Sequence, residues 1–374
     1  MLKNKNKGIT LVALVITIII LLILAGISIS ALTNTGIFAK AKDAKQKSAN
    51  AELDQNTKLD SYEEEISNYL PQDVKQAIKK GKPLSTDKNT EIVDEKGNKI
   101  VIPAGFKVTG EATTVDKGIV IEDATSGATA GSQFVWVPVG KITKADGTET
   151  EIKLNRYTFA SDGTPTAKNE EIIDSYYSET ASKGNTVAKS ISDFKSSVAA
   201  NGGYYIGRYE ARKNTTSGKL TEVKSDSVWN EITQPDAATQ ARNMYDEQQP
   251  FTSDLMNSYA WDTAITFIQK CTDKTNYAKQ KSLNTSLSKT GTTNDNPCNI
   301  FDMASNVYEW TTETYSDSVV PCVSRGGAYG GSLDCTSYRD VYSTSDSQQL
   351  LRFSSTFICK CLKSRFFKKI IINN

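Results

Sequence analysis

Residues 9–32 of this chain form an almost unbroken apolar run, interrupted only by Thr10, Thr17, Gly26, Ser28 and Ser30. Lys3, Lys5, Lys7 and then Gly8 precede it. A run of about 20 apolar residues is long enough to cross a bilayer as a helix. The positive flank favours holding the N-terminus in the cytoplasm. Everything after residue 33 is then predicted on the outer face, as an extracytoplasmic domain anchored in the membrane at the cell surface or in a pilus. The basic region runs directly into the apolar run, and no small-x-small site follows, so this is not an ordinary cleaved secretory signal.

The junction Lys7, Gly8, Ile9, Thr10, Leu11 resembles the N-termini of type IV prepilins. The resemblance implies a prepilin peptidase as a partner, cutting between Gly8 and Ile9 and leaving the apolar helix on the mature chain. Most pilins carry a Glu five residues into the mature chain, and Ala13 stands there, which puts efficient filament packing in doubt. A plain signal anchor gives the same single helix and external domain.

Composition narrows the chemistry of that domain. The 374 residues leave room for one or two domains beyond the anchor. A net charge of +1 offers no nucleic-acid surface. The chain has 0 histidines, which removes Ser-His-Asp and Cys-His catalysis, His-ligated zinc and the usual proton shuttle near neutral pH. Its cysteines all come late, at Cys271, Cys298, Cys322, Cys335, Cys359 and Cys361, and none forms a CxxC pair, which argues against a zinc cluster. Disulfides in an oxidising exterior and free thiols in a reducing one both remain open.

Residues 33–70 lack Pro, are rich in Ala, Lys and Glu, and predict a helical stalk continuing the anchor. Lys40, Lys42, Lys45 and Lys47 lie nearest the membrane, as a solvated face. Residues 71–131 read as a small strand-rich connecting region, with apolar runs bounded by Gly, Asp and Asn. In 132–139, Phe134, Trp136 and Pro138 alternate with valines, as in a buried or edge strand. A helix is expected around 186–199. Trp261, Ile265 and Ile268 at helical spacing predict another helix with a buried face.

The segments GGYYIGRYEA, AWDTAITFIQ, NIFDMASNVYEWTTE and SRGGAYGG follow one another in that order. Together they resemble the formylglycine-generating enzyme (sulfatase-modifying factor) family. Its hallmarks fall here on Ile300, Phe301, Asp302, Met303, Ala304, Ser305, Asn306, Val307, Tyr308, Glu309 and Trp310, then on Arg325, Gly326, Gly327, Ala328 and Tyr329. The resemblance spans roughly 132–350. It implies an α+β fold: the membrane-spanning and stalk helix, then an irregular C-type-lectin-like domain over 132–358 with short strands and few helices, closed by an atypical basic tail at 359–374. The family's oxidising enzymes bind copper through two cysteines beyond R-G-G, and soft thiolates select Cu(I). Those positions fall on Gly331 and Thr336, with Cys335 beside the second. Another branch uses iron held by His, which this chain lacks. The resemblance thus implies a non-catalytic member, with no certain cofactor and a structural calcium at Asn306 and Glu309 as the candidate metal site. Arg325 and Arg339 read as partners of buried carboxylates, Trp261 and Trp310 as core, and Gly326 and Gly327 as positions where a side chain would clash.

The text after R-G-G, AYGGSLDCTSYRDVYSTSDS, is rich in the residue types that diversity-generating retroelements vary in C-type-lectin-like proteins. Tyr329, Ser332, Asp334, Ser337, Tyr338, Asp340, Tyr342 and Ser343 are the candidate ligand contacts, set against an ordinary Ser/Tyr-rich surface loop. Tyr gives large, stiff contact area while Ser and Gly adapt around it. The partner expected is a surface protein, a glycan or a phage component. The alternatives are a minor pilin or pseudopilin whose head serves assembly, and a formylglycine-generating-type oxidase acting on exported substrates. The family's closing G-F-R strand is absent. The ending SSTFICKCLKSRFFKKIIINN suggests either a frame slip near 348–358, which would cost the domain its last core strand, or a real tail lying as a basic amphipathic patch.

Overall fold

The computed structural model describes residues 11–34, 37–67, 72–168, 176–180, 183–245, 249–282, 284–330, 334–347, 351–353 and 355–359, with backbone only for 28–34, 37–39, 60, 63–67 and 351–359. It divides into two compact units, Met1–Leu70 and Pro71–Asn374. Gly8 and Ile9, the expected processing site, lie outside the described residues.

The first unit is two helices, Leu11–Asn34 and Ile37–Ser67. Leu11, Val12, Leu14, Val15, Ile16, Ile18 to Leu24 and Ile27 are all exposed, so consecutive positions leave apolar side chains around the whole circumference. The Thr17 hydroxyl donates to the Ala13 carbonyl one turn back at 2.7 Å. Among the described residues no helix is long and apolar enough to cross a membrane. The membrane span expected over residues 1–32 is therefore not shown by the described residues.

In the second unit, the described residues form a six-stranded sheet and a five-stranded sheet. The six-stranded sheet runs Phe251–Leu255, Ser355–Cys359, Gly203–Gly207, Gln133–Pro138, Val120–Asp123, Phe106–Thr109, in that spatial order. Gln133–Pro138 lies in its interior and is buried from Phe134 onward, which explains its run of valines and aromatics. The expected connecting region 71–131 is not separate from the domain that follows. Val120 pairs with Val135, and Phe106, Val108, Val120 and Ile121 join the same core as Trp136 and Trp261.

The last strand of the large sheet is a second correction. Ser355–Cys359 inserts between Gly203–Gly207 and Phe251–Leu255, antiparallel to both, with Phe357 opposite Tyr205 on one side and Ser253 on the other. The domain keeps a closing strand despite its atypical ending. Backbone pairing is indifferent to side-chain identity, and Thr356, Phe357 and Ile358 are all strand formers.

The helix at 186–199 forms instead over Ile191–Asn201, because Ser190 caps it by accepting from the Asp193 N–H at 3.1 Å. The helix Ser258–Cys271 forms at its expected place, but all its residues except Lys270 are buried, not one face alone.

The five-stranded sheet runs Tyr177–Ser178, Tyr308–Tyr315, Cys322–Arg325, Arg339–Tyr342, with Leu351–Phe353 parallel to the long strand on its other register. It carries the hallmark residues.

Candidate functional site

The segment before the long strand is held by its own side chains. Asn306 adopts φ 69°, a left-handed conformation that Asn tolerates. Its side-chain oxygen accepts from the Ser288 N–H at 2.8 Å. Its amide donates to Glu210 at 2.9 Å and to the Ser288 carbonyl at 3.2 Å. Its own carbonyl accepts from the Tyr329 N–H at 2.8 Å. Asn306 therefore ties three segments together. Gly326 and Gly327 lie against this turn. A Cβ on Gly327 would meet the Ala304 carbonyl oxygen at 2.3 Å, and one on Gly326 would meet that of Met303 at 2.6 Å.

Cross-strand partners share a sheet face. Glu309, Arg325 and Arg339 are partners, so all three point to one side, and Trp310, Ser324 and Asp340 point to the other. On the inner side the structure builds a buried ion cluster, with Arg339 at its partly exposed edge. Arg325 donates to Asp262 at 2.5 Å and to Glu313 at 3.1 Å. Arg339 donates to Asp262 at 2.9 Å and to Glu313 at 3.0 Å. Arg156, also fully buried, donates to Glu313. Glu313 lies on the same side as Glu309 by alternation along the strand, beyond a register shift between Trp310 and Thr314. Burial alone would push the Glu313 carboxyl up, but Arg339, Arg156 and Arg325 outweigh it and hold the group at about 2. Glu179 lies beside them, and burial raises its carboxyl despite Arg156. Glu179 accepts from the Ser258 N–H at 2.6 Å, capping the helix that carries Asp262. Sequence reading anticipated carboxylate partners for Arg325 and Arg339 but not which ones, because Asp262 sits in a largely apolar helix and Glu313 among threonines, and neither gives a periodic signal.

On the outer side of the same strands the candidate ligand contacts gather. Tyr308 donates its hydroxyl to Asp334. Tyr342 donates to Asp340 at 2.8 Å, and its ring meets buried Trp310 edge-on at 5.4 Å. The rings of Tyr308 and Tyr338 lie 6.4 Å apart. Burial and neighbouring carboxylates raise all three tyrosines, with Asp334 and Asp340 acting on both Tyr308 and Tyr338. Asp334, Tyr338, Asp340 and Tyr342 are thus brought together, and Tyr308 joins them. Sequence reading missed Tyr308 because it falls inside the hallmark. Its period-two relation to Trp310 was the available signal.

The other candidates sit apart from this cluster. Tyr329 is half-buried and tied by its backbone to Asn306. Ser337 is buried, and its N–H donates to the Ala278 carbonyl at 3.0 Å. Ser343 lies on a turn with Ser345 and Asp346. Ser332 lies outside the described residues.

Residues 192–352 match the sulfatase-modifying factor enzyme 1-like domain. The match starts later than the resemblance read from residue 132, and it covers the ion cluster except Arg156 and Glu179, the hallmark and the tyrosine–aspartate face. Among curated proteins nothing matches significantly. Among solved structures, the chain is similar to CarF at 13% identity and TM-score 0.31, over 42% of this chain and 86% of that one. It is similar to Treponema denticola variable protein 1 at 12% identity and TM-score 0.33, over 62% of this chain and 97% of that one. It is similar to the Major Tropism Determinant I1 variant at 10% identity and TM-score 0.30, over 73% and 82%.

The two positions that the resemblance assigned to copper are Gly331 and Thr336. Thr336 is buried and spends its hydroxyl on the Tyr277 carbonyl at 2.7 Å, and Gly331 lies outside the described residues. Cys271, Cys298, Cys322 and Cys335 are free, and burial raises the first three thiols, those of Cys271 and Cys322 to about 12 and about 11. Among the described residues no group of three or more carboxylates or cysteines is placed to hold a metal ion. For calcium, which takes six to eight oxygens, Asn306 offers an oxygen that already accepts a backbone N–H, and Glu309 is buried on the arginine face.

Proposed function

We propose that this chain is a non-catalytic ligand-binding protein. Its sulfatase-modifying-factor-like domain meets a surface protein, glycan or phage component through Tyr308, Asp334, Tyr338, Asp340 and Tyr342. The observation that carries this reading is the division of labour across one set of strands. Their inner face is fixed by three arginines and two carboxylates, and on the other face exposed Tyr338 and partly exposed Asp334, Asp340 and Tyr342 lie over buried Tyr308 and Trp310. Tyrosine brings large contact area at low entropy cost, and a few such anchors dominate binding energy. Exchange of these residues by a diversity-generating retroelement is part of the proposal, resting on their types.

Attachment to the cell envelope through the N-terminal apolar helix, after cleavage at Gly8, completes the reading. Its support is the continuous apolar run and the exposed side chains from Leu11 to Ile27. The test presents the full-length chain on cells and screens surface extracts and glycan arrays with the wild type and with Tyr338→Ala and Tyr342→Ala. Capture that both variants lose supports the reading. Oxidation of a cysteine-containing sulfatase peptide by the protein would overturn it.

A further inference from the structure

Resting on that reading, we infer that the partner of the tyrosine–aspartate face presents a lysine- or arginine-rich protein segment. The argument is a census of what the face offers. Its carboxylates are Asp334 and Asp340, both half-exposed. Its accessible aromatic groups are Tyr338 and Tyr342, with Tyr308 buried behind them. Two of the three hydroxyl protons are committed inward to acids, Tyr308 to Asp334 and Tyr342 to Asp340. They are therefore withheld from an anionic ligand. The one guanidinium on this strand, Arg339, faces the other way and is held by Glu313 and Asp262. Lys281, bridged through its backbone to Cys335, is the basic residue at the border.

What remains facing outward is carboxylate oxygen and electron-rich ring. A cation within about 6 Å of a ring centroid is attracted by the ring quadrupole, and a neighbouring carboxylate adds to that attraction. The upward push of Asp334 and Asp340 on Tyr308 and Tyr338 is the same negative potential sensed from inside the face. An acidic or phosphorylated partner would meet like charge here, and such juxtaposition is what excludes wrong partners.

The test uses the full-length chain in a non-ionic detergent and three labelled peptides of one length, alternating serine with lysine, glutamate or tyrosine. Binding is read by fluorescence anisotropy for the wild type, Asp340→Asn, Tyr338→Ala and the remote control Glu111→Gln. The lysine peptide is expected to bind best and to weaken as salt rises. Asp340→Asn and Tyr338→Ala should each weaken it by about fivefold, and Glu111→Gln should leave it unchanged. Asn at 340 keeps an acceptor for the Tyr342 hydroxyl, and Tyr338 is exposed, so a loss of binding reflects the face and not unfolding. Equal binding of the glutamate peptide, insensitivity of lysine-peptide binding to both variants, or no lysine-peptide binding overturns the inference. If the tyrosine or glutamate peptide binds and is lost with Tyr338→Ala, the binding face survives and only its charge preference falls. If no peptide responds to Tyr338→Ala, both fall.

Discussion

Glu313→Gln removes one negative charge from beneath three guanidinium groups without changing the volume of the side chain. In the folded protein the Glu313 carboxyl sits at about 2, against an ordinary 4.5. That shift of about 2.5 units corresponds to about 3 kcal/mol of stability, at about 1.4 kcal/mol per unit. Breaking a buried ion cluster from one side costs about 3–5 kcal/mol, because the partner charges stay buried and uncompensated. The two routes agree on roughly 4 kcal/mol, which lowers the melting temperature by on the order of 10 °C in a domain of this size. The sign with pH follows from the depressed carboxyl. The stabilisation is fully present above about 4.5 and is lost as pH falls toward about 2. Thermal melts followed by circular dichroism should therefore show a wide gap between wild type and variant at pH 7 that closes progressively below pH about 4.5. A drop under about 3 °C, or a gap that ignores pH, would refute the claim that this cluster holds the sheet.

Three further outcomes are expected. Asp302 is fully buried, and burial raises its carboxyl to about 7, so wild-type stability should fall as pH rises from about 4 through 7. Asp302→Asn should gain melting temperature relative to wild type between pH 5 and pH 8, and a constant difference would contradict this. Gly327→Ala should destabilise by about 2–4 kcal/mol in urea titrations, because its new Cβ meets a backbone oxygen that cannot yield. A stop codon after Phe353 should leave the protein insoluble, whereas one after residue 360 should not. Equal solubility would show that the Ser355–Cys359 strand is dispensable.

The helix Ser258–Cys271 was legible because Trp261, Ile265 and Ile268 repeat at helical spacing. Its buried Asp262 was not, since periodicity sees only apolar residues and an ion cluster is assembled from strands and helices far apart in the chain. The outer face was legible in part. Tyr342 and Asp340 share a side by simple alternation, but nothing local joins them to Tyr308 or Asp334. The boundary drawn at residue 131 failed for a related reason. Strands announce themselves by local pattern, and their partners do not, so Val120–Asp123 could not be assigned to the sheet of Gln133–Pro138 before the fold was seen. The closing strand was misread because the expected family ending was sought where only strand-compatible side chains were required.

The position of that closing strand also sets a schedule for biosynthesis. Phe251–Leu255 and Gly203–Gly207 are sheet neighbours only through Ser355–Cys359, so both wait with open edges while the intervening chain is made. At about 5–20 residues per second that wait lasts about 5–20 s, long enough for unpaired strands to meet other chains. A cell making this protein must shield it until Ser355–Cys359 has been made. The nascent chain, and not the finished fold, is then the form most exposed to aggregation.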